Sequence, residues 1–134
     1  MNYLQTNTAS QNLLLSLEEG ALLLSSFTDY LLIIQNEITL QIFAVVPTVI
    51  STNERITELS ISTNVDDPTE GGVIITEAGR YNYIIYGQNS PGNLDPSDAD
   101  VVGEIKRGYI EFNSLTQYFD QPNLTIPNDI EYNG

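Results

Sequence analysis

An all-β fold, an antiparallel β-sandwich of about seven to eight short strands, is what the sequence predicts, on three observations. Apolar runs recur along the chain and are bounded by Gly, Pro, Asn and Asp clusters that mark turns. Several of these runs alternate apolar and polar residues, the period of a strand with one face buried. No stretch sustains a helical apolar period between strands, so a parallel α/β fold lacks its crossover helices.

The elements follow in order. Asn12 to Gly20 reads as a strand ending in a polar Gly turn, with Leu22–Leu24 as an apolar connector. A leucine-rich helix over 11–24 is the alternative, weakened by Gly20 and by poor 3.6-residue spacing. Asp29 to Gln35 is nearly continuous in apolar residues and suits a central strand, which Asn36-Glu37 turns. Thr39 to Val46 is its hairpin partner and stops at Pro47, which has no N–H for a ladder. Arg55 to Ser62 alternates, with a slip at Thr57-Glu58 that suggests a bulge. Asn64 to Gly72 is a loop by its turn chemistry, and Val73 to Ile75 a short strand. Arg80 to Gln88 and Glu104 to Phe112 are the last two strands, joined by the polar connection Asn89–Asp100.

The segment Glu77-Ala78-Gly79-Arg80-Tyr81-Asn82-Tyr83 sharpens the architecture. A tight Gly turn followed by Tyr-x-Tyr matches the corner of an immunoglobulin-like sandwich, where a tyrosine buries its ring and sends its hydroxyl back to the backbone upstream. Gly79, Tyr81 and Tyr83 are the corner residues, with Tyr83 where antibody domains carry a cysteine. An ordinary hairpin rich in aromatic residues is the plainer reading.

A chain of 134 residues is long enough for one domain with its own core. We place that domain at 1–113 and an extended C-terminal arm at 114–134, where Pro122 and Pro127 forbid a continuous helix or central strand. Tyr118, Phe119, Leu124, Ile126, Ile130 and Tyr132 are too apolar for a fully solvated arm. They are the candidate partner-binding residues, on this domain or on a neighbour.

Composition removes whole classes of function. There is no Cys and no His, hence no thiolate, no imidazole base and no commonplace zinc ligand. Eighteen acids against four bases give a net charge of −14, which repels a phosphate backbone and excludes nucleic acid as a partner. Met1–Asn7 carries neither the basic start nor the apolar stretch of a secretory signal. The apolar runs fall well short of the roughly 20 residues that cross a bilayer, so a soluble chain away from the membrane is expected.

Chemistry-bearing groupings are few. Asp95, Asp98 and Asp100, with Asn93, put hard oxygen ligands into one loop and form a weak calcium candidate. The loop lacks the terminal bidentate Glu of an EF-hand, and Asp-Pro-Ser-Asp equally reads as Asx turns. Asp66, Asp67 and Glu70 read as solvated charge. Paired carboxylates of the glycosidase kind are the remaining catalytic option, and nothing singles out a pair. With no Trp, sugar stacking would fall to the eight tyrosines, which strands and core explain more economically. Lys106-Arg107 is a lone basic pair, either surface charge or a contact for an acidic neighbouring copy. We therefore expect no enzyme, no cofactor and no committed metal site.

The apolar pair Tyr30–Gln35 and Ile42–Val46, the strand Gly79-x-Tyr81-x-Tyr83-x-x-Tyr86, the loop Asn93-Leu94-Asp95-Pro96, the strand Gly103–Phe112 and the end Tyr132-Asn133-Gly134 together resemble a group of small virion proteins of tailed bacteriophages, crAss-like and related phages of Bacteroidetes. The resemblance spans most of the chain and departs from it over Leu13–Leu24. It implies a non-enzymatic structural subunit, a capsid decoration or cement protein or a head–tail connector. Such a subunit is assembled in the host cytoplasm into the virion, and its partners are other virion proteins, copies of itself among them. The competing expectation is an immunoglobulin-like binding module for carbohydrate or a host-cell surface, which would show an exposed tyrosine cluster or calcium-dependent binding.

Overall fold

Alternation of side chains along Gly79–Gln88 sets the centre of the molecule. In the computed structural model, which describes residues 2–21, 24–52 and 56–114, Tyr81, Tyr83 and Ile85 are buried on one face of this strand. Asn82, Ile84 and Tyr86 stand half-buried on the other, the two-residue period of a pleated strand. It is the ninth of ten strands among the described residues: β1 (Asn2–Gln5), β2 (Gln11–Leu15), β3 (Asp29–Asn36), β4 (Ile42–Val45), β5 (Thr48–Thr52), β6 (Thr57–Ile61), β7 (Asn64–Asp67), β8 (Gly72–Ile74), β9 (Gly79–Gln88) and β10 (Val101–Asn113). One helical turn, α1 (Glu18–Ala21), and a 3-10 turn at Pro68–Glu70 complete the regular structure.

The fold is all-β. Its five-stranded sheet runs in the order β1-β10-β9-β3-β4, its three-stranded sheet in the order β2-β6-β5, and β7-β8 form a separate hairpin. Strands next to one another in the chain repeatedly fall in different sheets: β1 hands over to β2, and β4 to β5 through the buried Val46-Pro47. The inner faces share one core. Leu13 and Leu15 of β2 and Leu59 and Ile61 of β6 meet Leu32, Ile34, Tyr81, Tyr83, Ile85, Ile110 and Phe112 of the larger sheet. Each fully buried side chain of this size contributes about 1.5–3 kcal/mol, which is why the two sheets hold together without a disulfide.

Most strand pairs are antiparallel, as expected, but β1 runs parallel to β10, from Asn2 opposite Ile110 to Gln5 opposite Asn113. Thr63 anchors the turn that follows β1. Its buried hydroxyl donates to the Gln5 carbonyl at 2.8 Å and accepts from the Thr8 N–H at 2.9 Å.

The structure corrects several sequence expectations. Ten strands replace the seven to eight expected, the additions being β1, β5 and β7. Residues 64–72 are not simply a loop: β7 and a 3-10 turn lie within them, and the hairpin they form with β8 delivers Val73 and Ile75 to the core. Gly20 does not end a strand but lies inside α1, where its Cα faces the carbonyl of Ile105 too closely to admit a side chain. No bulge interrupts β6 against β2. Thr57 takes the inward position, Ile56 stays outside, and the irregularity falls on β5 between Val49 and Ser51.

Candidate interaction surface

The corner comes first, because it anchors the strand that both faces of the large sheet depend on. Gly79 has φ +136°, a backbone conformation that side chains with a Cβ rarely adopt, and it reverses the chain into β9. Two residues later the buried Tyr81 turns its hydroxyl back to donate to the Glu77 carbonyl at 2.8 Å. Its ring meets Phe112 edge-on, centroids 4.9 Å apart. Burial pushes the Tyr81 phenol above its ordinary value, and the same cause raises that of Tyr83. Tyr83 is 3 % exposed and its hydroxyl has no hydrogen-bond partner among the described residues.

The connection from β9 to β10 is held by amides. The buried Gln88 and the half-buried Asn93 exchange two hydrogen bonds, Asn93 Nδ2 to Gln88 Oε1 at 2.8 Å and Gln88 Nε2 to the Asn93 carbonyl at 3.1 Å. Asn93 Oδ1 also accepts from the Asp95 N–H. The candidate calcium ligands are engaged in the same manner. Asp95 accepts from the hydroxyl and N–H of Ser97, which hold its carboxyl below the usual range, and Asp98 accepts from the Asp100 N–H. These are Asx turns. Among the described residues no group of three or more acidic, Cys or His side chains is arranged to hold a metal ion.

Described cations differ in how far they are neutralised. Arg107 makes a two-pronged contact with Glu104, both distances 2.7 Å, which lowers the carboxyl and raises the guanidinium. Arg80 pairs with Glu37 at 3.5 Å and lies 4.0 Å over the ring of Tyr109. Lys106, next to Arg107 on β10, has no carboxylate partner among the described residues. Of the described tyrosines, Tyr3 and Tyr109 are exposed.

The turn between β3 and β4 carries a feature that the sequence reading missed. Asn36 ties it, its side-chain oxygen accepting from the N–H groups of Ile38 and Thr39 at 2.8 and 2.9 Å. The residues so displayed are apolar: Ile38 is 89 % exposed, Leu40 62 % and Ile42 61 %. Leu40 also has φ +64°, the left-handed region that disfavours a branched side chain. The signal was present, since Asn36-Glu37-Ile38-Thr39-Leu40 puts apolar residues where turns carry polar ones, but 39–46 read as strand. On the opposite sheet β5 pairs only with β6 among the described strands and is exposed throughout, with Val49 and Ile50 on it.

The expected partner-binding residues Tyr118, Phe119, Leu124, Ile126, Ile130 and Tyr132 lie outside the described residues. Comparison with family models, with curated proteins and with solved structures finds no match.

Proposed function

We propose that this chain is an immunoglobulin-like β-sandwich that works by protein–protein assembly, as a non-enzymatic structural subunit of a tailed-phage virion. The strand order supports the fold. Strands β10-β9-β3-β4 facing β2-β6-β5 correspond to the G-F-C-C′ and B-E-D arrangement of variable-type domains, and Tyr81 stands at the E–F corner position.

The observation that carries the assembly reading is the β3–β4 turn. Exposing three large apolar side chains within five residues, Ile38 to Ile42, and holding one of them at positive φ costs stability twice over. Apolar residues displayed at that cost support a surface that another protein covers. The virion setting adds the resemblance carried by the Tyr-rich β9, the Asn93–Pro96 loop and β10, together with a charge of −14 that keeps free subunits apart until specific contacts form. Capsid decoration, cement or a place in the head–tail connector are the positions that suit a small subunit of this kind.

Mass spectrometry of gradient-purified particles tests it. Peptides of this chain should be present at a fixed ratio to the major capsid protein and survive a high-salt wash. Particles free of the chain would end the virion reading.

A further inference from the structure

We propose that the solvent face of the five-stranded sheet carries a binding groove for a neutral saccharide, built on Asn82, Gln35 and Tyr109. Such a site would be a function additional to assembly and independent of it.

Register places the three side chains in one row. Asn82 of β9 lies opposite Gln35 of β3 on one side and opposite Tyr109 of β10 on the other. Cross-strand neighbours of this kind stand about 5 Å apart, so the row spans roughly 10 Å of sheet. All three point away from the core, because the alternate residues Ile34, Tyr81, Tyr83 and Ile110 are buried. A groove of about 400 Å³ opens along the row, and Ile84 and Arg107, opposite each other one step along the strands, share its lining. Gly108 and the inward-facing Tyr83 complete it.

Hydrogen-bonding capacity is left over in the groove. The half-buried Asn82 amide has no hydrogen-bond partner among the described residues, so its N–H groups and its oxygen are both available. Gln35 Nε2 donates to the Leu40 carbonyl at 3.2 Å, which orients that amide and leaves its oxygen to accept. Arg80 lies 4.0 Å over the Tyr109 ring, and Arg107 is held by both oxygens of Glu104, so the opposite wall is set as well. Amide donors and acceptors beside an aromatic ring and an isoleucine match a sugar ring, whose hydroxyls each donate and accept and whose C–H face is apolar.

Charge selects a neutral sugar. The two arginines at the groove are each engaged by a carboxylate, Arg107 by Glu104 and Arg80 by Glu37, and the whole chain carries −14. An anionic sugar or a phosphate would meet no unpaired cation in the lining and a repelling field outside it. A peptide strand is disfavoured for another reason. β9 is hydrogen-bonded to β3 on one side and to β10 on the other through this row, so its backbone offers an added strand nothing. An open groove worked by side chains binds weakly, at about millimolar affinity, and gains strength when several copies bind together.

A printed array of neutral and sialylated oligosaccharides, probed with the biotinylated full-length chain clustered on fluorescent streptavidin, tests this. Neutral sugars should bind, and their sialylated counterparts should bind no better. The strongest neutral hit, titrated into the isotope-labelled chain, should shift the side-chain amide signals of Asn82 and Gln35 in the NMR spectrum. Asn82→Asp and Tyr109→Ala should each weaken binding by about tenfold. Tyr3→Ala, which removes an exposed tyrosine outside the groove, should bind as the wild type does. Circular dichroism checks that each variant is folded, and the amide shifts are read on the wild-type chain whatever the variants do. An array signal no higher than that of streptavidin alone overturns the proposal. Preference for the sialylated sugars, Asn82 signals that do not move, or binding that survives both groove substitutions would each do the same.

Discussion

The Tyr81 hydroxyl donates to the carbonyl of Glu77, four residues upstream, at 2.8 Å, so the side chain that fills the core also ties the turn leading into its own strand. Two separable effects are joined at one residue. Tyr81→Phe keeps the ring against Phe112 and removes only the hydrogen bond, leaving the Glu77 carbonyl to water; it should cost about 0.5–1.5 kcal/mol. Tyr81→Ala also empties the ring site and should cost about 3–5 kcal/mol. Urea midpoints of the two variants measure the difference, and equal losses would show that the ring contributes nothing beyond the corner bond.

High pH acts on the same strand. Burial raises the phenols of both Tyr81 and Tyr83 above the ordinary value of 10.0, so the folded chain holds those protons longer than the unfolded chain does. Their contribution is fully present below pH 10 and is lost as pH rises past it, because only the unfolded state then releases protons. The limiting slope is about 1.4 kcal/mol per pH unit for each group. Unfolding midpoints taken from pH 8 to 11 should fall above 10 and fall less steeply in Tyr83→Phe. An identical slope in that variant rules Tyr83 out as a source.

Adjacent isoleucines at the end of β8 should behave oppositely. Ile75 is fully buried in the shared core, while Ile74 is 50 % exposed. Ile75→Ala should lose about 2–5 kcal/mol through the cavity it leaves. Ile74→Ala should stay within about 0.5 kcal/mol of the wild type. Chemical denaturation of the pair checks the inward direction of the β7–β8 hairpin.

This pair also marks the limit of what was legible beforehand. The β class, the β3–β4 hairpin and the existence of strands β9 and β10 follow from local signals: alternation, turn residues and a Gly before Tyr-x-Tyr. Val73-Ile74-Ile75 shows no alternation, so its inward side is decided by the sheet it lies against. The parallel contact of Asn2–Gln5 with Ile110–Asn113 joins segments more than a hundred residues apart, and no local pattern encodes it. Thr57 was legible as polar but not as the inward residue, because its hydroxyl is satisfied by Thr52 across the β5–β6 pair at 3.2 Å. The strained turn at Leu40 was visible as an oddity and was absorbed into a strand by its apolar neighbours.

Two glycines should resist substitution for different reasons. At Gly79 no atom lies within 4 Å of an added Cβ, so Gly79→Ala meets only the backbone cost of φ +136°, about 1–3 kcal/mol. At Gly108 φ is unremarkable for any residue, but a Cβ would press to 2.9 Å on the Tyr83 ring. Gly108→Ala should destabilise by about 1–3 kcal/mol through overpacking, and Tyr83→Leu in the same chain should recover part of that loss by withdrawing the ring. If Gly79→Ala were instead rescued by a neighbouring truncation, the backbone account of the corner would be wrong.

Leu40 separates stability from association. Its φ of +64° disfavours a branched residue by about 1–2 kcal/mol, and its side chain is 62 % exposed. Leu40→Gly removes the strain, so the thermal midpoint of the isolated chain should rise despite the added freedom of the unfolded state. The same substitution deletes the middle of the Ile38-Leu40-Ile42 surface, so association with the partner proposed to cover it should weaken. A gain in stability with a loss of partner binding, read from thermal melts and from pull-down with disassembled particles, identifies Leu40 as retained for contact. A loss in both would mean that the leucine stabilises its own turn, and the β3–β4 surface would no longer support the assembly reading.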